Sequence, residues 1–83
     1  MAAIGKIETT MRNNPSDVRF SDLLKVCKSR FSGPRIRGSH HYFATPWIGE
    51  PLVNIQKGKS GKAKPYQVKQ VLAAIDKLEQ END

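Results

Sequence analysis

The chain has 83 residues, a net charge of +6 from fourteen Lys and Arg against eight Asp and Glu, and a single cysteine. That length excludes several domains and a large enclosed substrate pocket, while the lone Cys27 excludes an intramolecular disulfide and a cysteine-based metal cluster, as suits a reducing compartment. No apolar run approaches membrane-spanning length and Met1 to Met11 lacks the apolar core of a signal peptide, so a cytoplasmic protein without a membrane partner is expected.

In chain order, Ile4, Ile7 and Met11 recur at helical spacing and predict a helical extension over residues 1–15, broken by Asn13-Asn14-Pro15-Ser16. The main domain is expected over 16–80. Phe20, Leu23, Leu24, Cys27 and Phe31 form one apolar stripe, so a helix is predicted over Ser21–Phe31. Ser21 is the expected cap, Asp22 complements the first turn, and Ser32-Gly33-Pro34 stops the helix. Cys27 on that stripe is expected to be a buried, unreactive thiol. Pro34–Arg37 and His40–Thr45 then read as two strands around a tight Gly38-Ser39 turn or bulge. Trp47–Pro51 reads as a connecting loop, and Leu52–Gln56 as a third strand with Val53 and Ile55 on one face and Leu52, Asn54 and Gln56 on the other. Lys57–Lys64 (KGKSGKAK) reads as a mobile basic loop. Pro65 opens a last helix whose stripe is Val68, Val71, Leu72, Ile75 and Leu78. Residues 81–83 are expected to form a disordered acidic tail. Two amphipathic helices need one partner surface, so both should pack on the same face of a three-stranded antiparallel sheet, giving an α+β fold of order α-β-β-β-α behind the N-terminal helical extension.

The charge is unevenly placed. Four of the eight acids (Asp76, Glu79, Glu81, Asp83) crowd the end, which leaves the middle of the chain more basic than the total suggests. Such a surface favours polyanionic partners, nucleic acid foremost. Within it, Gly38-Ser39-His40-His41-Tyr42-Phe43 concentrates the chemistry. Strand alternation puts His40 and Tyr42 on one face, and His41 with the apolar Phe43 on the other, which should meet the helices. Metal-free cleavage of RNA needs a proton removed from a 2′-hydroxyl and another delivered to a leaving 5′-oxygen. Histidine suits either task. Arg35 and Arg37, on a strand able to pair with that of His40, are candidate phosphate holders. Lys57, Lys59, Lys62, Lys64 and Lys69 are candidates for sequence-independent phosphate contacts, the alternative being a solvated link. Trp47 is a candidate either for stacking on a base or for a hydrophobic anchor. The adjacent histidines lack the spacing of a paired metal site, so neither a metal nor a cofactor is expected.

With GSHHYF preceded by an amphipathic helix and a short basic strand, the chain resembles the HicA toxins of bacterial type II toxin–antitoxin systems. The resemblance runs from about Phe20 to Leu78 and rests on four parts: Ser21–Phe31; Gly38-Ser39-His40 with Tyr42-Phe43; Leu52–Gln56; and Lys62-Ala63-Lys64 leading into Tyr66–Leu78. It implies a double-stranded-RNA-binding-domain-like fold, metal-independent endonucleolytic cleavage of mRNA, arrest of translation, and neutralisation by a HicB-type antitoxin that covers the active site. The family's catalytic histidine falls on His40, with His41 in reserve; Tyr42 and Ser39 stand beside it as catalytic or orienting candidates. The substrate class is RNA, single- or double-stranded. Two departures from the family pattern are the extension before Pro15 and Lys57-Gly58-Lys59, which stands where many members carry a Pro and a second His. A non-catalytic RNA-binding module is the alternative function, and a protein-interaction module, with charge serving solubility alone, is a third.

Overall fold

The computed structural model describes residues 4–46 and 53–81. Trp47, Leu52 and the last two residues of the acidic tail lie outside the described residues. The architecture is α+β: helices α1 (Ile4–Asn13) and α2 (Phe20–Arg30), strands β1 (Ser32–Arg37), β2 (His40–Ala44) and β3 (Val53–Gln56), and helix α3 (Pro65–Glu81). The strands form one antiparallel sheet in the order β1-β2-β3. None of the described helices is long and apolar enough to cross a membrane.

The helices take the positions their apolar stripes dictate. α1 buries Ile7 and Met11, α2 buries Phe20, Leu23, Val26 and Cys27, and α3 buries Val68, Val71, Leu72 and Ile75. All of them join Phe43 and Ile55 from one face of the sheet in a single core. The extension is therefore part of the same hydrophobic unit as the main domain. Polar contacts fix its angle. Arg30 holds the buried Glu8 with two parallel hydrogen bonds of 2.9 and 3.0 Å, and Arg12 meets Asp76 of α3 at 2.6 Å. A carboxylate as buried as Glu8 is tolerable only with such a partner.

Two local expectations are corrected. Ser21 does not cap α2: the helix begins at Phe20, its N-cap is Arg19, and no side chain caps it. The start is set by tertiary structure, because Arg19 bridges Lys62 in an extended pairing and Phe20 enters the core directly after it. The Lys57–Lys64 segment has a defined path and does not form the loose loop that its composition suggests. Lys57 bridges Ala63, Gly58 N–H donates to Lys62 O at 2.8 Å, Ala63 N–H donates to Val18 O at 2.8 Å, and Lys59–Gly61 makes one 3₁₀ turn. Ala63, the one apolar residue of the run, is the anchor at 3% exposure.

The β1–β2 hairpin closes as expected at Gly38-Ser39, with Arg37 opposite His40. Gly38 has φ +58° while Ser39 stays at negative φ, the pattern of a two-residue turn that takes Gly first. At the far end of β1 the register shifts between Ser32 and Arg35, around Gly33 with φ +132°.

Candidate active site

Cross-strand partners share a face of a sheet, so the register alone composes the site. Arg37, His40 and Gln56 form one row across β1, β2 and β3; Arg35, Tyr42 and Asn54 form the next. The intervening row, Ile36–His41–Ile55, points to the helices, where Ile55 is fully buried. The two rows around His40 are thus polar and lie on the face opposite the core, with the exposed Ala44 further along β2.

Two side chains contact the His40 ring. Its Nδ1 lies 3.1 Å from Asn54 Oδ1. In the tautomer with Nδ1 protonated, the ring donates to this amide oxygen and Nε2 keeps its lone pair. The Tyr42 ring stacks against the imidazole with centroids 5.9 Å apart and planes at 21°. Directly opposite, Gln56 donates through Nε2 to Ser39 Oγ at 2.8 Å and accepts at Oε1 from Lys64 Nζ at 2.8 Å. Gln56 is held in turn by Gln67, whose Oε1 accepts from the Gln56 N–H at 2.7 Å and whose Nε2 faces Tyr66 OH at 3.3 Å. A chain of amides therefore ties the start of α3 to the row of His40. Arg35 and Arg37 are exposed on the same face.

Of the residues singled out by sequence, the structure brings together Arg35, Arg37, Ser39, His40, Tyr42 and Lys64. Others are placed apart. His41 faces the helices; its ring meets Phe20 edge-on at 5.1 Å and 63°, and its Nδ1 is buried without a hydrogen-bond partner among the described residues. The sheet therefore separates it from the two arginines. Lys62 is engaged by Asp17 at 2.7 Å, a contact that holds the Asp17 carboxyl below its ordinary range. Lys57 and Lys62 line a shallow cleft with Arg19 and Ser21 at the start of α2. Lys59 is exposed in the 3₁₀ turn, and Lys69 is exposed on the second turn of α3. Cys27 is fully buried, and that burial pushes its thiol up to about 12, as expected of an unreactive structural cysteine. Among the described residues no three His, Cys, Asp or Glu side chains gather as a metal-ligand group would.

Asn54, Gln56 and Gln67 are the site residues that the sequence did not single out. Alternation does place Asn54 and Gln56 on the open face, but amides are so common on solvated sheets that only the register reveals what they touch. Gln67 is revealed only by its burial: a polar residue 2% exposed at the start of α3 has a buried task. Comparison of the chain with known proteins gives no matching family model, no matching curated protein and no matching solved structure.

Proposed function

We propose that this chain is a HicA-like toxin: a cytoplasmic, metal-independent endoribonuclease on a double-stranded-RNA-binding-domain-like fold, which cuts mRNA and arrests translation until a HicB-type antitoxin covers the site. The observation that carries the reading is the set of His40 with Nδ1 against Asn54 Oδ1, on the same sheet face as Arg35 and Arg37. An imidazole whose inner nitrogen is committed to an acceptor offers its outer nitrogen as a general base. The paired arginines suit the non-bridging oxygens of a phosphodiester, where charge grows in the transition state.

The reaction follows from those roles. His40 Nε2 takes the proton of a ribose 2′-hydroxyl as that oxygen bonds to the adjacent phosphorus. The bond from phosphorus to the 5′-oxygen breaks, and the departing oxygen receives a proton from water or from the Lys64 ammonium, held in this row through Gln56. The products are a 2′,3′-cyclic phosphate and a free 5′-hydroxyl. Tyr42, stacked on the imidazole, limits its rotation.

The test is expression of the chain and of His40→Ala in bacteria, with cleavage assayed on purified mRNA in the presence of EDTA. The expected result is growth arrest and EDTA-resistant cleavage by the natural sequence, and neither by a folded His40→Ala. Undiminished cleavage by that variant would remove His40 from the chemistry. Salt-sensitive binding with the RNA left whole would favour a non-catalytic RNA-binding module.

A further inference from the structure

The two edges of the sheet are finished differently. Beyond β3, the outward Gln56 N–H is taken by Gln67 Oε1 at 2.7 Å and the next residue, Lys57, bridges Ala63. The β1 edge has no such closure among the described residues. The two-residue turn makes Arg37–His40 the hydrogen-bonded closing pair of the hairpin, so the alternating ladder turns the N–H and C=O of Ile36 away from β2. The same alternation turns the Gln56 N–H away from β2, where Gln67 is found, which checks the parity. Pro34 has no N–H to offer, so the free pairing groups centre on Ile36.

Side chains at this edge carry a pattern of their own. Ile36 is on the helix side of the sheet, yet it is 58% exposed because the helices do not reach across β1. Arg35 and Arg37 flank it on the other face. A strand added here would pair one residue with Ile36 and place that residue's two neighbours opposite the arginines. Apolar at the centre and acidic on either side is the complementary sequence. A second copy of the chain does not fit: antiparallel pairing about Ile36 sets Arg35 opposite Arg37 twice, and like charges directly opposed repel.

We infer that the β1 edge is a docking site for an extended acidic–apolar–acidic segment of a partner protein, added as a fourth strand at Ile36. The inference stands apart from the ribonuclease reading, since it uses the outer backbone of β1 and not the imidazole of His40. Because Arg35 and Arg37 serve both surfaces, an occupant of this edge competes with RNA for the same charges.

The experiment titrates the full chain with a capped peptide of sequence Thr-Thr-Glu-Val-Glu-Thr-Thr, read by amide chemical shifts and hydrogen exchange. The expected result is saturable binding at low salt with slowed exchange at the Ile36 amide, and affinity lower by at least about tenfold for a peptide carrying Lys in place of both Glu or for Arg35→Glu. Ile36→Pro removes the outward N–H together with the Ile side chain, a substitution that edge strands accept. It should lower affinity by at least about tenfold while RNA cleavage is unchanged, whereas Ile36→Thr keeps the donor and binds within about threefold. Absence of saturation at about 1 mM peptide overturns the inference. So does peptide affinity that survives in a folded Ile36→Pro, because the arginines then act as an anion surface for RNA without strand pairing. Should Ile36→Pro fail to fold, unchanged exchange at Ile36 in the natural chain with peptide bound is the refuting result.

Discussion

Asn54→Leu isolates the contact that biases which nitrogen of His40 carries the proton. Leu is close to Asn in shape and sits on a strand end opposite Tyr42, so the backbone register has no reason to change. What is lost is one partly buried hydrogen bond of 3.1 Å between neutral groups, a net contribution of about 0.5–1.5 kcal/mol. At about 1.4 kcal/mol per factor of ten, the tautomer with a bare Nε2 loses about two- to tenfold in its ratio to the alternative. Nitrogen-detected NMR of the His40 ring reads that ratio without any substrate, and single-turnover cleavage of an RNA oligonucleotide reads its consequence. Asn54→Asp supplies the opposing sign. A carboxylate beside Nδ1 accepts more strongly than the amide oxygen and shifts the ratio toward the tautomer with a bare Nε2. Identical tautomer ratios in the natural chain and Asn54→Leu would refute the positioning of His40 by Asn54, whatever the activity.

Met11→Ala removes a fully buried side chain from α1 at about 2–5 kcal/mol, against a total of about 3–5 kcal/mol for a core this small, so urea unfolding should show most of the stability gone; a midpoint near that of the natural chain would mean α1 is peripheral. Gly33→Ala forces a side chain onto φ +132° with its Cβ 3.0 Å from Tyr42 O, and should lower the melting temperature through about 1–3 kcal/mol of strain; an unchanged melting curve would contradict the path of β1. The Cys27 thiol should resist alkylation at neutral pH until urea unfolds the chain, and reaction at the rate of a free thiol would show it is not buried. Its folded pKa lies above the ordinary value, so the stability linked to the neutral thiol is intact below about pH 9 and is lost as pH rises toward about 12; Cys27→Ala should remove that part of the alkaline slope, and an identical slope would refute the linkage.

The legible parts of this fold are those governed by period and parity. The stripe Val68, Val71, Leu72 and Ile75 named α3, and Pro65 marked its first residue. Alternation through His40-His41-Tyr42-Phe43 separated the two histidines onto opposite faces, since only Phe43 could be the core residue. Parity, however, says nothing of what lies beside a strand. The bond from Asn54 to His40 joins neighbouring rows of two strands, and the support of Gln56 by Gln67 joins a strand to a helix. Both depend on register, which no local pattern encodes. Ser21 misled for the same reason: cap preference is a local signal, and the pairing of Arg19 with Lys62 outweighed it. The lysine segment looked mobile because Gly and Lys dominate its composition, while the burial of Ala63 that pins it depends on the distant Val18.

The position of His40 follows from how little the sheet contributes to the core. Its fully buried side chains among the described residues are Phe43 and Ile55; the helices supply nearly all the rest. Three helices can thus be packed on one side while the other side of the same short strands carries Arg35, Arg37, His40, Tyr42, Asn54 and Gln56, with Ala44 exposed beside them. His40 begins β2 beside the tight turn, and the Gln56–Ser39 bond ties that turn to β3, so the imidazole is placed by paired strands and not by a loop. A binding or catalytic group on such an element keeps its geometry without a substrate to organise it. The cost falls on stability, because an uncovered sheet face buries little apolar area, and α1 with Ile7, Met11 and the Glu8–Arg30 pair supplies part of what that face does not. Loosening α1 should therefore lower activity only as far as it lowers the folded fraction, with the rate per folded molecule unchanged. A fall in that rate while the chain stays folded would mean that α1 acts on the site itself.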